Sequence, residues 1–370
     1  MDFEISPEQE QLRDSVRAVL ESECPTSLVR RLAEGGEPPQ EPWRSALALG
    51  WPGIHVPAEL GGLGLGFQEL GLVCEVHGRF LAPGPFLATV TQFLPAVREA
   101  GSAEQTRRLA GAVLRGELRG ALAAGSGAGD GLDLDLHARR DGATWRLDGA
   151  RRFVLDGDTA DEVVVAARVD EGDGCGLFLV PGASAKAERV ESLDPSRPLA
   201  HLAFDGLRLE AGRVLGTPGR SARALGRALD EATVALALET VGACQALFER
   251  TLAYARQRVQ FDHPIGSFQA VQHKCADMFV QLAKARATGY FALAALDEDD
   301  PRRSLAASMA KAAAGDCQRL VCKEAIQIHG GVGFTWESDV HLFVKRAKTA
   351  DLLLGTAAEH RERIAAHLEL

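Results

Sequence analysis

No two of the seven cysteines, Cys24, Cys74, Cys175, Cys244, Cys275, Cys317 and Cys322, stand in a Cys-x-x-Cys spacing, and their number is odd. A disulfide framework or a zinc site is therefore not expected; reduced thiols are, several of them on apolar stripes where a free cysteine behaves as a small hydrophobe. His273, His329 and His341 also lack ligand spacing, so packing or solvent contact is expected of them rather than metal binding. The start, Met1-Asp-Phe-Glu-Ile-Ser-Pro-Glu-Gln-Glu, has neither a basic n-region nor an apolar h-region, which argues against a signal peptide. No apolar run suggests a bilayer span, so no membrane insertion and a cytoplasmic location are expected. Positive charge is in deficit: a net charge of -10 argues against a broad nucleic-acid surface.

What is present is the composition of a soluble globular protein, 46% apolar and 6% aromatic, with 370 residues for two or three domains. Ser6-Pro7-Glu8-Gln9 opens a first helix with a serine N-cap, proline at the first helical position and glutamine at the capping-box position. The glycine run Pro57 to Gly66 has no strand before it, so it is not a dinucleotide fingerprint. Helix is expected again from Glu69 to Arg79 and, capped by Ser102-Ala-Glu-Gln105, to about Gly116. From about Leu118 the period shortens to two: Leu132 to Ala138 alternates, Arg140-Asp-Gly-Ala is a hairpin signal, and Thr144 to Leu147, Glu162 to Ala167, Gly176 to Val180 and His201 to Phe204 add strands. Helical stripes then return: Val234, Leu238, Val241, Phe248 and Leu252, interrupted by Gln245; Met278, Leu282, Ala285 and Leu293; and Leu305, Met309, Ala313, Cys317, Leu320 and Ile328, on a helix expected to be capped by Asp300 with Pro301 first. Shorter helices are expected at 339–348 and 356–370. The expected architecture is an α+β multidomain chain: an all-α domain over 1–117, a middle antiparallel β domain over 118–216, and a four-helix bundle over 217–370.

Between two of the apolar-periodic segments lies Arg258-Val-Gln-Phe-Asp-His-Pro-Ile-Gly-Ser-Phe-Gln269. Pro264 and Gly266 make it a tight helix-to-helix joint, with Ser267 expected to cap the incoming helix and Gln269 in its first turn. A guanidinium, an amide and a helix N-terminus in one corner suit a phosphate or pyrophosphate; a solvated surface Arg258 beside an ordinary turn is the alternative.

The ordered pattern Tyr254-Ala-Arg-Gln-Arg258-x-x-Phe261-x-x-Pro264-Ile265-x-x-Phe268-Gln269 resembles the signature of acyl-CoA dehydrogenases, FAD-dependent enzymes that oxidise acyl-CoA thioesters. Ile326-Gln327-Ile328-His329-Gly330-Gly331-Val332-Gly333 resembles the family's other C-terminal signature. The family's α, β, α domain order matches the order above over nearly the whole chain. The resemblance implies FAD as cofactor, acyl-CoA as substrate and an electron-transfer flavoprotein as partner. It further implies that Arg258, Phe261, Gln269, Gln327, Gly330 and Gly331 reach the FAD of a neighbouring subunit.

The same resemblance exposes gaps. The reaction needs a base, whose loss costs roughly 10²–10⁴ in rate. Aligned on Arg346-Ala-Lys348 and Gly355-Thr356, the family's usual glutamate position holds Leu354, and its alternative position holds Ala232. Glu231, expected as a solvated acid at a helix start, and Asp351 are the candidate displaced bases. Where the family lines its own flavin with hydroxyl and carboxylate groups, this chain has Ala123 to Asp130 and Phe153-Val154-Leu155. The leading expectation is thus a base-lacking subunit in an α2β2 heteromer with a sister acyl-CoA dehydrogenase chain, as in actinobacterial sterol side-chain degradation. A self-sufficient homo-oligomer using Glu231 or Asp351, a flavin monooxygenase on the same fold and a binding-only homo-oligomer are the alternatives.

Overall fold

The computed structural model describes residues 5–125, 136–170, 172 and 174–369. Helices α1 (Pro7–Glu23), α2 (Thr26–Ala33), α3 (Glu41–Ala48), α4 (Phe67–Arg79), α5 (Phe86–Ala88), α6 (Leu94–Ala100) and α7 (Ala103–Leu114) come first. Strands β1 (Gly120–Ala123), β2 (His137–Asp141), β3 (Thr144–Leu155), β4 (Glu162–Arg168), β5 (Cys175–Pro181), β6 (Lys186–Val190), β7 (Leu199–Glu210) and β8 (Val214–Leu215) follow. The remainder is α8 (Ala222–Gln257), a hairpin β9 (Val259–Gln260) and β10 (His263–Pro264), then α9 (Gln269–Asp297), α10 (Arg303–His329), α11 (Val340–Leu352) and α12 (Ala357–His367). The chain forms two compact units, one of Met1–Pro42, Phe67–Pro83 and Thr233–Leu370, the other of Trp43–Gly66 and Gly84–Ala232.

In the first unit the long helices approach closely because glycine meets backbone. A Cβ on Gly78 of α4 would lie 1.8 Å from the Glu239 carbonyl of α8, and one on Gly242 of α8 would lie 1.8 Å from the Glu75 carbonyl of α4. Several polar groups inside this packing find partners, as burial favours. Arg346 Nη1 donates to Glu239 Oε1 at 2.8 Å and Nη2 to the Leu81 carbonyl at 3.1 Å. Gln245, which interrupts the apolar stripe of α8, accepts from Arg286 Nη2 at 2.8 Å, and Arg286 Nε and the Tyr290 hydroxyl both donate to Glu75 at 2.9 Å. Burial pushes the nearby His77 imidazole down to about 4, so it is neutral.

The second unit holds an eight-stranded sheet in the order β6-β7-β3-β2-β4-β5-β8, with β1 on β4. It is antiparallel except where β1 and the start of β2 pair with β4. β2 and β3 form the expected hairpin, Asp141 opposite Thr144. The unbroken apolar run of β5 reflects burial on both sheet faces: Leu177 and Leu179 join the cluster built with Phe93, Val97, Leu109 and Leu225, whereas Phe178 and Val180 join one with Val163, Leu202 and Phe204.

Four expectations are corrected. Residues 222–257 make one helix whose mean hydropathy of 1.2 over 18 residues suffices for a membrane span by composition; 94% of that window is buried within protein, where a core helix also needs apolar faces. Ser267 does not cap α9: a 3-10 turn, Ile265–Ser267, intervenes and its hydroxyl donates back to the Pro264 carbonyl at 2.7 Å. Pro301 does not start α10, which begins at Arg303; the Asp300 carboxylate instead accepts the Arg302 amide at 2.7 Å in a preceding turn. On α10, Met309 is exposed and Leu305, Ala313 and Leu320 are only half-buried; the inward face carries Ala306, Ala310, Cys317, Val321 and Ala325. Small side chains let neighbouring helices close around α10, so burial follows proximity rather than the largest apolar residues. Of the Ala123 to Asp130 and Leu132 to Ala138 segments, residues 126–135 lie outside the described residues.

Candidate functional site

The two C-terminal signatures meet in the first unit. Tyr254, on the last turns of α8, stacks on His329 at the end of α10 with ring centroids 4.4 Å apart and planes 21° from parallel. His329 Nδ1 donates to the Ala325 carbonyl at 2.8 Å, and burial lowers the imidazole's pKa, which favours its uncharged form. Arg258 follows directly, its amide closing α8 onto the Tyr254 carbonyl at 2.8 Å.

Beyond it the β9–β10 hairpin turns through Phe261 and Asp262 with φ of +53° and +63°. Two left-handed residues in succession are what a type I′ turn requires and what Asn-Gly usually supplies. The strain projects Phe261 outward, 85% exposed and edge-on to Phe268. No side chain caps α9; the Val271 and Gln272 amides bond the Phe268 carbonyl, and the Gln269 and Ala270 amides open the helix without a side-chain cap. Gly330 adopts φ +62° and ψ -142°, a conformation confined to glycine, and a Cβ on Gly330 or Gly331 would meet nothing within 4 Å. Arg258, Gln269 and Gln327 are exposed, and no hydrogen bond from their side chains to another described residue is formed. The corner therefore offers uncommitted donors, an open glycine backbone and a helix N-terminus, the chemistry of a pyrophosphate cradle.

A second feature is the turn from α11 to α12. Leu354 is left-handed at φ +57° and is followed by Gly355 at φ +96°. His360 Nε2 bonds the Leu354 carbonyl at 2.9 Å, so Nε2 carries the proton and Nδ1 faces the Ser308 hydroxyl at 3.2 Å. Burial drives the His360 pKa down to about 4. Lys311 reaches from α10 to donate to the carbonyls of Ala350, Asp351 and Gly355 at 2.9, 3.1 and 2.7 Å. Burial pulls its ammonium down to about 8 against the attraction of Asp351. The turn is rigidly held, and the side chain it presents at 354 is an aliphatic one.

Neither displaced acid is placed as a free base. Glu231 is buried rather than solvated: its Oε1 lies 2.5 Å from Arg98 Nη2. Arg98 also meets Glu99 at 3.3 Å, and Glu99 takes Arg227 Nε at 2.6 Å, so the acid belongs to a four-charge network within the second unit. Ala232 beside it is buried. Asp351 is half-buried with Oδ1 turned inward toward Gly315, 2.9 Å from where a Cβ would sit.

In the second unit the end of β3 carries Phe153-Val154-Leu155. A register shift between Arg151 and Val154 swings Phe153 out at φ +56°, 49% exposed, with its ring edge-on to His201 at 5.0 Å. Val154 and Leu155 are buried, leaving no hydroxyl in this segment. Asp156, next in line at φ +53°, went unnoticed in the sequence; burial raises its carboxyl to about 7 against the pull of Arg197. Lys311 and His360 were also missed. A lone lysine in the alanine-rich run from Ala306 to Gly315 was the available signal for the first.

Residues 6–117 match the family model "Acyl-CoA dehydrogenase, N-terminal domain" and residues 222–369 match "Acyl-CoA dehydrogenase, C-terminal domain". The chain is 31% identical to acyl-CoA dehydrogenase IpdE2 of Mycobacterium tuberculosis, over 96% of both chains. It superimposes on a chain of the ChsE4-ChsE5 complex of Mycobacterium tuberculosis with a TM-score of 0.90 and 28% identity, covering 100% of this chain and 99% of that one. A Tcur3481-Tcur3483 steroid acyl-CoA dehydrogenase variant is similar at a TM-score of 0.89 and 30% identity, with 99% of each chain covered. With two domain signatures, a relative matched end to end and the fold in common, the chain belongs to the acyl-CoA dehydrogenase family.

Proposed function

We propose that the chain is the base-lacking subunit of a heteromeric acyl-CoA dehydrogenase. FAD, the family's cofactor, is held by Arg258, Gln269, Gln327 and the Gly330-Gly331 backbone, with Phe261 beside it, while a sister subunit supplies the flavin pocket and the base. The observation that carries this reading is the α11–α12 turn, whose rigid left-handed position 354 presents leucine where α,β-dehydrogenation needs a proton acceptor. The pairing of Glu231 with Arg98 counts against a homo-oligomer using that acid, and the loss of hydroxyls at Phe153 to Leu155 counts against a flavin monooxygenase. Uncommitted side chains at Arg258, Gln269 and Gln327 support a role toward a group outside this chain. Similarity to a chain of a two-component complex and to a steroid acyl-CoA dehydrogenase supports the heteromer and a sterol-derived acyl-CoA as substrate. A cytoplasmic location, an electron-transfer flavoprotein as electron acceptor, and the division into domains at 1–117, 118–216 and 217–370 go with it.

The test is the flavin-to-protein ratio of the purified chain, alone and co-expressed with a neighbouring acyl-CoA dehydrogenase gene. The expected result is a colourless chain alone and a yellow, active complex. One FAD per subunit and acyl-CoA-dependent flavin reduction by this chain alone would overturn the proposal. In the complex, Arg258→Ala should weaken FAD retention by roughly tenfold or more, the scale of a lost charge-assisted hydrogen bond.

A further inference from the structure

Helix α9 is apolar around most of its circumference, yet the chain covers only part of it. Met278, Leu282, Ala285 and Leu293 are buried, Arg286 and Tyr290 reach Glu75 of α4, and Lys274 pairs with Glu324 of α10. The outward side carries Phe279 and Val280, 60% and 63% exposed, with Ala276, Ala283 and Ala287 exposed beside them. Phe279 keeps some contact with α8, its ring centroid 6.2 Å from that of the buried Phe248, but most of the face meets solvent. A helix apolar on all sides is ordinarily buried on all sides, and a continuous exposed apolar face marks an interaction surface.

The register of the face ties it to the candidate cofactor corner. At about 100° per residue, Ala276, Val280, Ala283 and Ala287 fall within about 60° of arc, and Gln269 falls inside the same arc. The stripe therefore starts at the corner and runs about 27 Å along α9. On the heteromer reading proposed above, Gln269 reaches a flavin carried by another chain, so that chain stands over this face of the helix. We infer that the α9 stripe is the surface on which the flavin-bearing sister subunit docks, through an apolar helix of its own. Alanine at three of the four positions lets a partner helix come close, while Val280 and Phe279 supply apolar area. On the rim, Asp277 and Lys284 are ion-paired with no other described residue, which leaves a charge of each sign for the partner. A second copy of this chain would bring no such flavin to Gln269, because its own Phe153-Val154-Leu155 segment lacks the ring-binding hydroxyls.

The test is co-expression of the tagged chain with the neighbouring acyl-CoA dehydrogenase gene, reading the sister subunit and FAD that purify with the tag. Positions 280 and 283 are exposed, so Val280→Glu and Ala283→Glu should leave the melting temperature of the chain alone within about 2 °C of native. Each should weaken association by roughly a hundredfold or more, because docking would shut a carboxylate between apolar surfaces. FAD should then be lost from the tagged fraction together with the sister, although Arg258 and Gln269 are intact; Val280→Ile should retain both. Sister and FAD kept at the native ratio by both glutamate variants would overturn the inference and leave the heteromer reading standing. So would a homodimer of the chain alone that Val280→Glu splits while the sister stays bound, since the face would then belong to a second copy. A native chain that binds neither sister nor FAD would overturn the heteromer reading itself, and the docking surface with it.

Discussion

Asp156 and the Glu239–Arg346 pair are buried ionisable groups with opposite consequences. The fold raises the Asp156 carboxyl to about 7, so it prefers the protonated acid. Stability from this residue is therefore full below the unfolded carboxyl value and is lost as pH climbs through about 7. Thermal melts between pH 5 and 8 should show Asp156→Asn flattening a decline that the native chain displays. His77 and His360 act in the other direction: held near 4, they cost stability as pH falls below the ordinary imidazole value. The difference between native and Asp156→Asn curves separates the two effects. Arg346 and Glu239, each with a side chain 1% exposed, stabilise only as a pair. Arg346→Met alone leaves a buried carboxylate and should cost about 3–5 kcal/mol in denaturant melts, whereas adding Glu239→Leu should recover most of that loss.

Among the elements, the hairpin between α8 and α9 shows backbone strain retained at a candidate site. Phe261 and Asp262 both occupy left-handed positions, so Asp262→Gly should stabilise the chain by about 1 kcal/mol without altering Arg258, measurable as a shift in denaturation midpoint. How much was legible in advance follows the range of the forces involved. The capping boxes at Ser6 and Ser102 were readable because two residues within a four-residue window specify each, Ser6 with Gln9 and Ser102 with Gln105, and both form. The β2–β3 hairpin was readable for the same reason. Ser267 and Asp300 carry the right side chains for caps, but a 3-10 turn and a charged turn before each helix recruit them instead, and nothing local announces that. The α10 face was misjudged because several helices surround it, and the approach of α4 to α8 at Gly78 and Gly242 is visible only in three dimensions. At the candidate site, Arg258 to Gln269 and Gln327 to Gly331 stood out as motifs; the Tyr254–His329 stack joining them depends on tertiary packing.

Across the molecule the absences fall in both compact units, and that distribution makes a single reversion insufficient. Position 354 is held in a preset conformation by His360, with Lys311 on the neighbouring carbonyls, so Leu354→Glu adds a carboxylate without demanding a new backbone. A left-handed glutamate is no more strained there than the leucine it replaces. If the missing base were the only defect, Leu354→Glu should turn the purified chain into a working dehydrogenase. The other unit argues otherwise, because Phe153 projects an apolar ring and Val154 and Leu155 are buried in the segment where the family resemblance calls for ring-binding hydroxyls. The expected outcome for Leu354→Glu purified alone is therefore a folded chain that retains no flavin and shows no acyl-CoA-dependent bleaching when FAD is added. Bleaching by that single variant would mean that the chain keeps a competent flavin pocket of its own and lost only its acid.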